Sequence, residues 1–187
     1  LIAEGKTKPF IIVMTYGMTN DIKFGGLRNF KIEPFQTVLI DELIPYIDTN
    51  FRTLSDQPNR AMAGLSMGGM ETKMITLKNL DKFSQIGLFS GGSISPDDIQ
   101  DMAAFKEKNK LVFVSYGSRE LGGNRRRGGD PKAATEALKK AGIPIQTHQE
   151  KHEGGFHARY YLTHQAKAEK HLEALQERSK GGKNVAA

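Results

Sequence analysis

The feature that most constrains the fold is the run AGLSMGG at 63–69. Gly64 and Gly68 lie two residues before and two residues after Ser66, the G-x-S-x-G spacing of a tight turn between a strand and a helix. We expect glycine at both positions because a side chain at either one would collide with the neighbouring strand or helix. The pattern predicts a strained Ser66 at the tip of the turn, held there as a nucleophile.

The surroundings of Ser66 support a chemical role for it. A short apolar strand is predicted at 60–65 and a helix at 68–80, so Ser66 is expected at a helix N-terminus. There the backbone N–H of Met67 and the helix dipole can face an oxyanion that develops on a substrate. The alternative is a glycine-rich turn of an α/β protein that has no chemistry.

The rest of the chain alternates between strand and helix patterns. Strands are predicted at 9–17, 60–65, 83–92, 110–117 and 144–152, and helices at 34–51, 68–80, 131–141 and 158–178, with a loop and a short helix at 94–109. This alternation predicts an α/β domain with a mostly parallel sheet, whose sites form at the carboxyl ends of the strands. The polar alternation at 144–152 places that strand near the sheet edge. We predict one domain over 1–178 and a disordered tail at 179–187.

An activated serine needs a histidine base and an acid that orients the base. Glu120 lies three residues after the buried strand 110–117 and is the favoured acid. Asp130 is its rival, although at the start of a predicted helix its expected work is N-capping.

Five histidines are candidates for the base. His157 is favoured because it lies just after two glycines, at 154 and 155, with one residue between, and these glycines let its loop turn back over the strand ends. His152, at the other end of the same loop, is the next candidate. The other three, which lie within predicted strands or helices, are His148, His164 and His171. The order Ser66, Glu120, His157 places each residue after its own strand.

Composition excludes several classes of function. The chain has no cysteine, so disulfides, thiolate nucleophiles and Cys-ligated zinc are ruled out. We also expect neither a metal nor a cofactor, because a serine nucleophile with a histidine base needs none. The net charge of +6 is partly local, at 122–130 and in the lysine-rich end from Lys167. Aromatic residues are not interleaved with these basic residues, so we do not expect nucleic acid as a partner. No apolar run reaches the roughly 18 residues of a membrane span, and the start does not have the pattern of a signal peptide.

The segment PYIDTNFRTLSDQPNRAMAGLSMGGMETKMITLKNLDKFSQIGLFSGG at 45–92 resembles the esterase D-like α/β-hydrolases. Within them it is most similar to the feruloyl (cinnamoyl) esterases and acetyl xylan esterases of carbohydrate esterase family 1. The resemblance implies an α/β-hydrolase fold and a serine esterase with Ser66 as nucleophile, Glu120 as acid and His157 as base. It also implies feruloyl esters of plant cell-wall polysaccharide as substrates, and secretion. Acetyl xylan esterase, another small-ester hydrolase and a catalytically inactive carbohydrate-binding relative remain alternatives.

The sequence also departs from the family pattern. The family's G-T-x-D turn carries an aspartate, whereas GSRE at 117–120 offers glutamate, and Ala158 and Arg159 follow His157 where an acidic and an aromatic residue are usual.

A further departure concerns the start of the sequence. The family's strand with a His-Gly loop, which supplies a second oxyanion N–H, has no counterpart before Leu1. Its place is between the predicted strands 9–17 and 60–65. We therefore expect these two strands either to pair directly or to leave a gap filled by another chain, for example in a homo-oligomer. We also expect weak or no activity from residues 1–187 alone.

Overall fold

The structure is a computed structural model, and it describes residues 2–5, 8–17, 31–121 and 129–150. Four parallel strands form one sheet in the order β1-β2-β3-β4. The strands are β1 Ala61–Leu65, β2 Gln85–Phe89, β3 Leu111–Gly117 and β4 Ile145–Glu150. The helices are α1 Glu33–Thr37, α2 Ile44–Asn50, α3 Met67–Lys78, α4 Met102–Lys108 and α5 Pro131–Lys140.

The predicted parallel α/β architecture is confirmed within these residues. The helix predicted at 34–51 is present, but a π-helical turn, Val38–Leu43, separates α1 from α2. Short 3₁₀ turns occupy Gln57–Asn59, Pro96–Asp98 and Ser118–Glu120. The strand predicted at 144–152 is found as β4 at the end of the strand order, in agreement with its polar alternation. Among the residues described, no helix is long and apolar enough to cross a membrane.

The apolar core lies on one face of the sheet. Side chains alternate along each strand, so the cross-strand partners Ile86 and Val112 share a face, as do Leu88 and Val114. These four side chains are almost fully buried, together with Phe105 of α4 and Leu138 of α5. A second cluster joins α1 and α3 to β1 through Phe35, Ile75 and Met62. This packing fixes which side of each strand faces the core. Because the strands are parallel, their carboxyl ends all lie at one edge of the sheet.

The prediction of a strand at 9–17 is wrong. The structure assigns no strand to residues 8–17, and Phe10, Ile12, Met14 and Tyr16 are exposed, Met14 to 91%. An apolar β-branched run becomes a strand only when the edge of another strand pairs with it, and no described strand does so. β1 pairs with β2 alone among the described residues, so the expected direct pairing of 9–17 with β1 is wrong, and a gap filled by another chain stays a prediction.

The end of this segment meets α3 at a buried carboxyl group. Gly17 has a positive φ of 73°, and a Cβ added to it would lie 2.7 Å from Oε2 of Glu71. Glu71 is only 4% exposed, and its Oε1 has no hydrogen-bond partner in the described part of the chain. Burial raises the pKa of Glu71 to about 7, because removal from water disfavours the charged form.

We expect this carboxyl group to make stability depend on pH. The folded pKa is raised, so the folded state holds the proton more tightly and stability falls as the pH rises from about 4.5 to about 7. Glu71→Gln keeps the shape and removes the charge. It should raise the free energy of unfolding at pH 8 by on the order of 1–3 kcal/mol, because each unit of raised pKa corresponds to about 1.4 kcal/mol of cost for the charged form, and change it little at pH 4.5.

Urea unfolding at the two pH values measures this effect. Glu107→Gln, a change at an exposed position of α4, is the matched control and should shift neither value. A Glu71→Gln effect of equal size at both pH values would contradict the assignment of the pH dependence to this group.

Candidate active site

Ser66 has the strained backbone that the sequence predicts. It lies between β1 and α3 with φ 57° and ψ −115°, outside the regions that non-glycine residues favour. Such a conformation costs on the order of 1–3 kcal/mol and persists only where the surroundings enforce it. Here the Ser66 N–H donates to the carbonyl of Phe89 at 2.9 Å, and the Ser66 carbonyl accepts from Gly69 at 3.0 Å and Met70 at 3.2 Å.

The glycines of the turn work partly as predicted. A Cβ on Gly64 would overlap the backbone of Gly68, so glycine is required at 64. The expectation that a side chain at Gly68 would also collide with a neighbouring element is wrong, since its added Cβ has no described atom within 4 Å apart from its chain neighbours and the nearby backbone of α3. The crowded position is Gly69, where a Cβ would lie 2.7 Å from Cα of Gly91, because α3 begins directly against the turn that follows β2.

The start of α3 offers a backbone donor next to Ser66. Met67 is the first residue of this 12-residue helix, so its N–H has no acceptor within the helix. The helix dipole adds positive potential at the same point. This geometry suits the oxyanion role predicted for Met67, which stays a prediction.

Glu120 lies at the same end of the sheet as Ser66. It ends the 3₁₀ turn that follows β3, and β3 is separated from β1 only by β2. Its Oε1 accepts hydrogen bonds from Oγ of Ser90 at 2.8 Å and from the N–H of Gly117 at 2.7 Å. The carboxylate is therefore held by two donors, as an orienting acid has to be.

Asp130 has the structural position expected of it. It is the N-cap of α5, and its Oδ1 accepts from the N–H of Lys132 at 2.9 Å and of Ala133 at 3.3 Å. Its carboxylate therefore satisfies the first turn of the helix.

The structure describes one of the five candidate histidines. His148 lies in β4, opposite Ser115 in the register, and is exposed. The remaining candidates, His152, His157, His164 and His171, lie outside the described residues. So do the basic run at 122–128, the predicted helix at 158–178 and the tail at 179–187.

Sequence reasoning missed Ser90. This residue follows β2 and has a φ of 46°, the second non-glycine residue with positive φ among the residues described. The signal for it was the glycine pair at 91 and 92, which marks a sharp turn after a strand but does not identify the preceding serine as a partner of Glu120.

A parallel sheet with a strained serine between a strand and a helix is the arrangement typical of the nucleophile turn of α/β-hydrolases. The Esterase family model matches residues 1–168, so the chain belongs to the Esterase family, a class of carboxylic ester hydrolases.

Relatives are named as esterases. The chain is 51% identical over 149 residues to an endo-1,4-beta-xylanase/feruloyl esterase of Xylanibacter ruminicola, a match covering 78% of this chain and 19% of that protein. It is 37% identical over 90 residues to an esterase of Mycobacterium tuberculosis, a match covering 45% of this chain and 19% of that protein. The chain thus spans about a fifth of the length of these curated relatives.

Solved structures are also similar to the chain. A ferulic acid esterase of Anaeromyces mucronatus, solved with ferulic acid, has 19% identity and a TM-score of 0.43 over 63% of this chain and 46% of its own. An S-formylglutathione hydrolase of Agrobacterium tumefaciens has 21% identity and a TM-score of 0.40 over 61% of this chain and 48% of its own.

The two glycines of the motif provide a matched pair for mutation. Gly64→Ala places a methyl group into the backbone of Gly68 and should destabilise the chain by about 1–3 kcal/mol or more, the usual cost of overpacking. Gly68→Ala adds a methyl group that meets no atom outside its chain neighbours and the nearby backbone of its own helix, so it should leave stability unchanged or raise it by up to about 1 kcal/mol. Urea unfolding of both variants measures the change in the free energy of unfolding. Equal losses of stability would contradict the conclusion that Gly64 is crowded and Gly68 is not.

Proposed function

We propose that this chain forms a serine esterase domain that hydrolyses carboxylic esters through an acyl-enzyme on Ser66, with Glu120 as acid and His157 as base. The observation that carries the proposal is the strained conformation of Ser66 at the start of α3. A turn that only reversed the chain direction would not need a non-glycine residue at φ 57°. Family membership supports the same class of reaction.

The proposed reaction has two halves. In the first, Oγ of Ser66 attacks the ester carbonyl while His157 takes its proton, and the Met67 N–H stabilises the oxyanion. Collapse of the intermediate breaks the ester C–O bond, and His157 returns the proton to the leaving alcohol. In the second half, water attacks the acyl-enzyme by the same route, releasing the acid and restoring Ser66. Glu120 orients the imidazole throughout, and no metal or cofactor takes part.

We propose feruloyl or cinnamoyl esters of plant cell-wall polysaccharide as the substrates. The support is the name of the Xylanibacter relative, which combines xylanase with feruloyl esterase. Since such polysaccharides lie outside the cell, we also propose that the protein is secreted. Acetyl xylan hydrolysis is the second candidate, favoured by the same xylan-related name. Turnover of methyl ferulate against release of acetate from acetylated xylan separates the two.

The nucleophile can be tested with a serine-directed label. Ser66→Ala should abolish both p-nitrophenyl acetate turnover and labelling by a fluorophosphonate while the fold remains, because loss of a triad member lowers the rate by orders of magnitude. The full-length gene product is assayed, with Ser55→Ala, at an exposed serine, as the control that keeps both signals. A Ser66→Ala variant that retained more than about a tenth of the activity would remove Ser66 from the role. An unlabelled wild-type protein would favour the inactive, carbohydrate-binding alternative.

The two candidate acids give opposite expectations. Glu120→Gln should lower kcat by up to about 10⁴-fold, the loss seen when the orienting acid of a serine protease is replaced by its amide. Asp130→Asn should leave kcat within a few-fold and lower only stability, because Asp130 caps α5. Steady-state kinetics with p-nitrophenyl acetate and urea unfolding measure the two effects. The reverse order of kcat losses would make Asp130 the acid.

A further inference from the structure

Ser90 has an unusual backbone for a residue with a side chain. Its φ of 46° lies in the left-handed region, and two glycines follow it directly. Its N–H donates to the carbonyl of Ser115 in β3 at 2.8 Å, which fixes this conformation against the neighbouring strand. Glycine would adopt the same backbone at lower cost, so a hydroxyl at this position has to contribute something that a hydrogen atom cannot.

The hydroxyl of Ser90 contacts the proposed acid. Oγ donates to Oε1 of Glu120 at 2.8 Å, and the same oxygen accepts the N–H of Gly117 at 2.7 Å. Hydrogen bonds to a carboxylate are among the stronger ones in proteins. Neither donor contacts Oε2, the oxygen that the proposed mechanism leaves for the N–H of the imidazole.

The next residue contacts the nucleophile turn. A Cβ on Gly91 would lie 2.5 Å from Cα of Gly69 and 2.7 Å from the carbonyl oxygen of Ser66. Two consecutive residues therefore contact the two ends of the proposed site. Ser90 contacts the acid, and Gly91 contacts the turn that bears Ser66. A displacement of this corner would move both at once.

We propose that Ser90 is a positioning residue of the esterase site, which holds the Glu120 carboxylate in register with Ser66 through its hydroxyl. The proposal rests on the proposed function, because Ser90 acts through Glu120 and contacts no reacting atom. A fixed Oε1 presents Oε2 in one orientation, so the imidazole keeps the tautomer and direction that proton transfer from Ser66 requires.

The test is a double-mutant cycle in the full-length gene product. Ser90→Ala should lower kcat for p-nitrophenyl acetate by about 10- to 100-fold, the rate equivalent of one lost hydrogen bond to a charged group, with KM nearly unchanged. In the Glu120→Gln background the same change should lower kcat by less than about twofold, since the group it positions is already lost. A role in folding alone would lower kcat equally in both backgrounds.

Two further variants separate the hydroxyl from packing and strain. Ser84→Ala removes a buried hydroxyl just before the other end of β2, where Oγ donates to the carbonyl of Pro58 at 3.1 Å, and should leave kcat unchanged. Ser90→Gly removes the hydroxyl but accepts the positive φ, so it should fold even if Ser90→Ala does not, with the same loss of kcat.

Each outcome has a distinct meaning. Retained kcat in Ser90→Gly, or equal losses in both backgrounds of the cycle, would overturn the role of Ser90. If Glu120→Gln lowers kcat and Ser90→Gly does not, the proposed function stands and only this inference fails. If Glu120→Gln has no effect, Glu120 is not the acid, and both the site assignment and this inference fail.

Discussion

The contact between the backbones of Gly69 and Gly91 is the constraint on which the site depends. A Cβ on either glycine would come within 2.5–2.7 Å of the other's Cα, so α3 starts as close to the turn after β2 as two backbones allow. The same approach places Gly91 against the turn that bears Ser66, since a Cβ on Gly91 would lie 2.7 Å from the Ser66 carbonyl oxygen. A side chain at either position would push the helix away and break the contact that holds Ser66 in its strained conformation.

The two strained serines belong to one pattern. Leu65 pairs with Phe89 and Phe89 pairs with Ser115 at the ends of their ladders. Ser66 then donates to the Phe89 carbonyl and Ser90 to the Ser115 carbonyl, so each residue that follows a strand adds one more bond to the next strand. The positive φ turns the chain away immediately afterwards. The carboxyl edge of the sheet thereby places two hydroxyl groups in positions set by the strand register and not by flexible loops.

Sequence-based prediction succeeded where a feature depends on residues close together in the sequence and failed where it depends on distant ones. The turn at Ser66 and the N-cap at Asp130 depend on residues a few positions apart, and both were predictable. The segment 9–17 has the composition of a strand, but a strand also needs a partner edge, which composition does not contain. The sequence pattern predicts steric crowding at Gly68, whereas the structure shows it at Gly69. The crowding comes from Gly91, 22 positions away in the sequence, so the local pattern does not reveal it. Ser90 was missed for the same reason, since its partner Glu120 is 30 positions away.

The glutamate at 120, where related esterases are expected to have aspartate, is fixed by local contacts. It stands at the third position of the turn Ser118–Glu120, and its carboxylate returns to the N–H of Gly117, the residue that caps the turn. An aspartate makes the same return contact in the turn Pro96–Asp98, where Oδ2 of Asp98 accepts the N–H of Ser95 at 2.7 Å, so this contact alone does not require glutamate. The same Oε1 also receives the Ser90 hydroxyl, so a single oxygen closes the turn and joins β3 to the corner after β2. Two short hydrogen bonds, from residues held in place by β2 and β3, therefore restrict the rotation that the longer glutamate side chain adds.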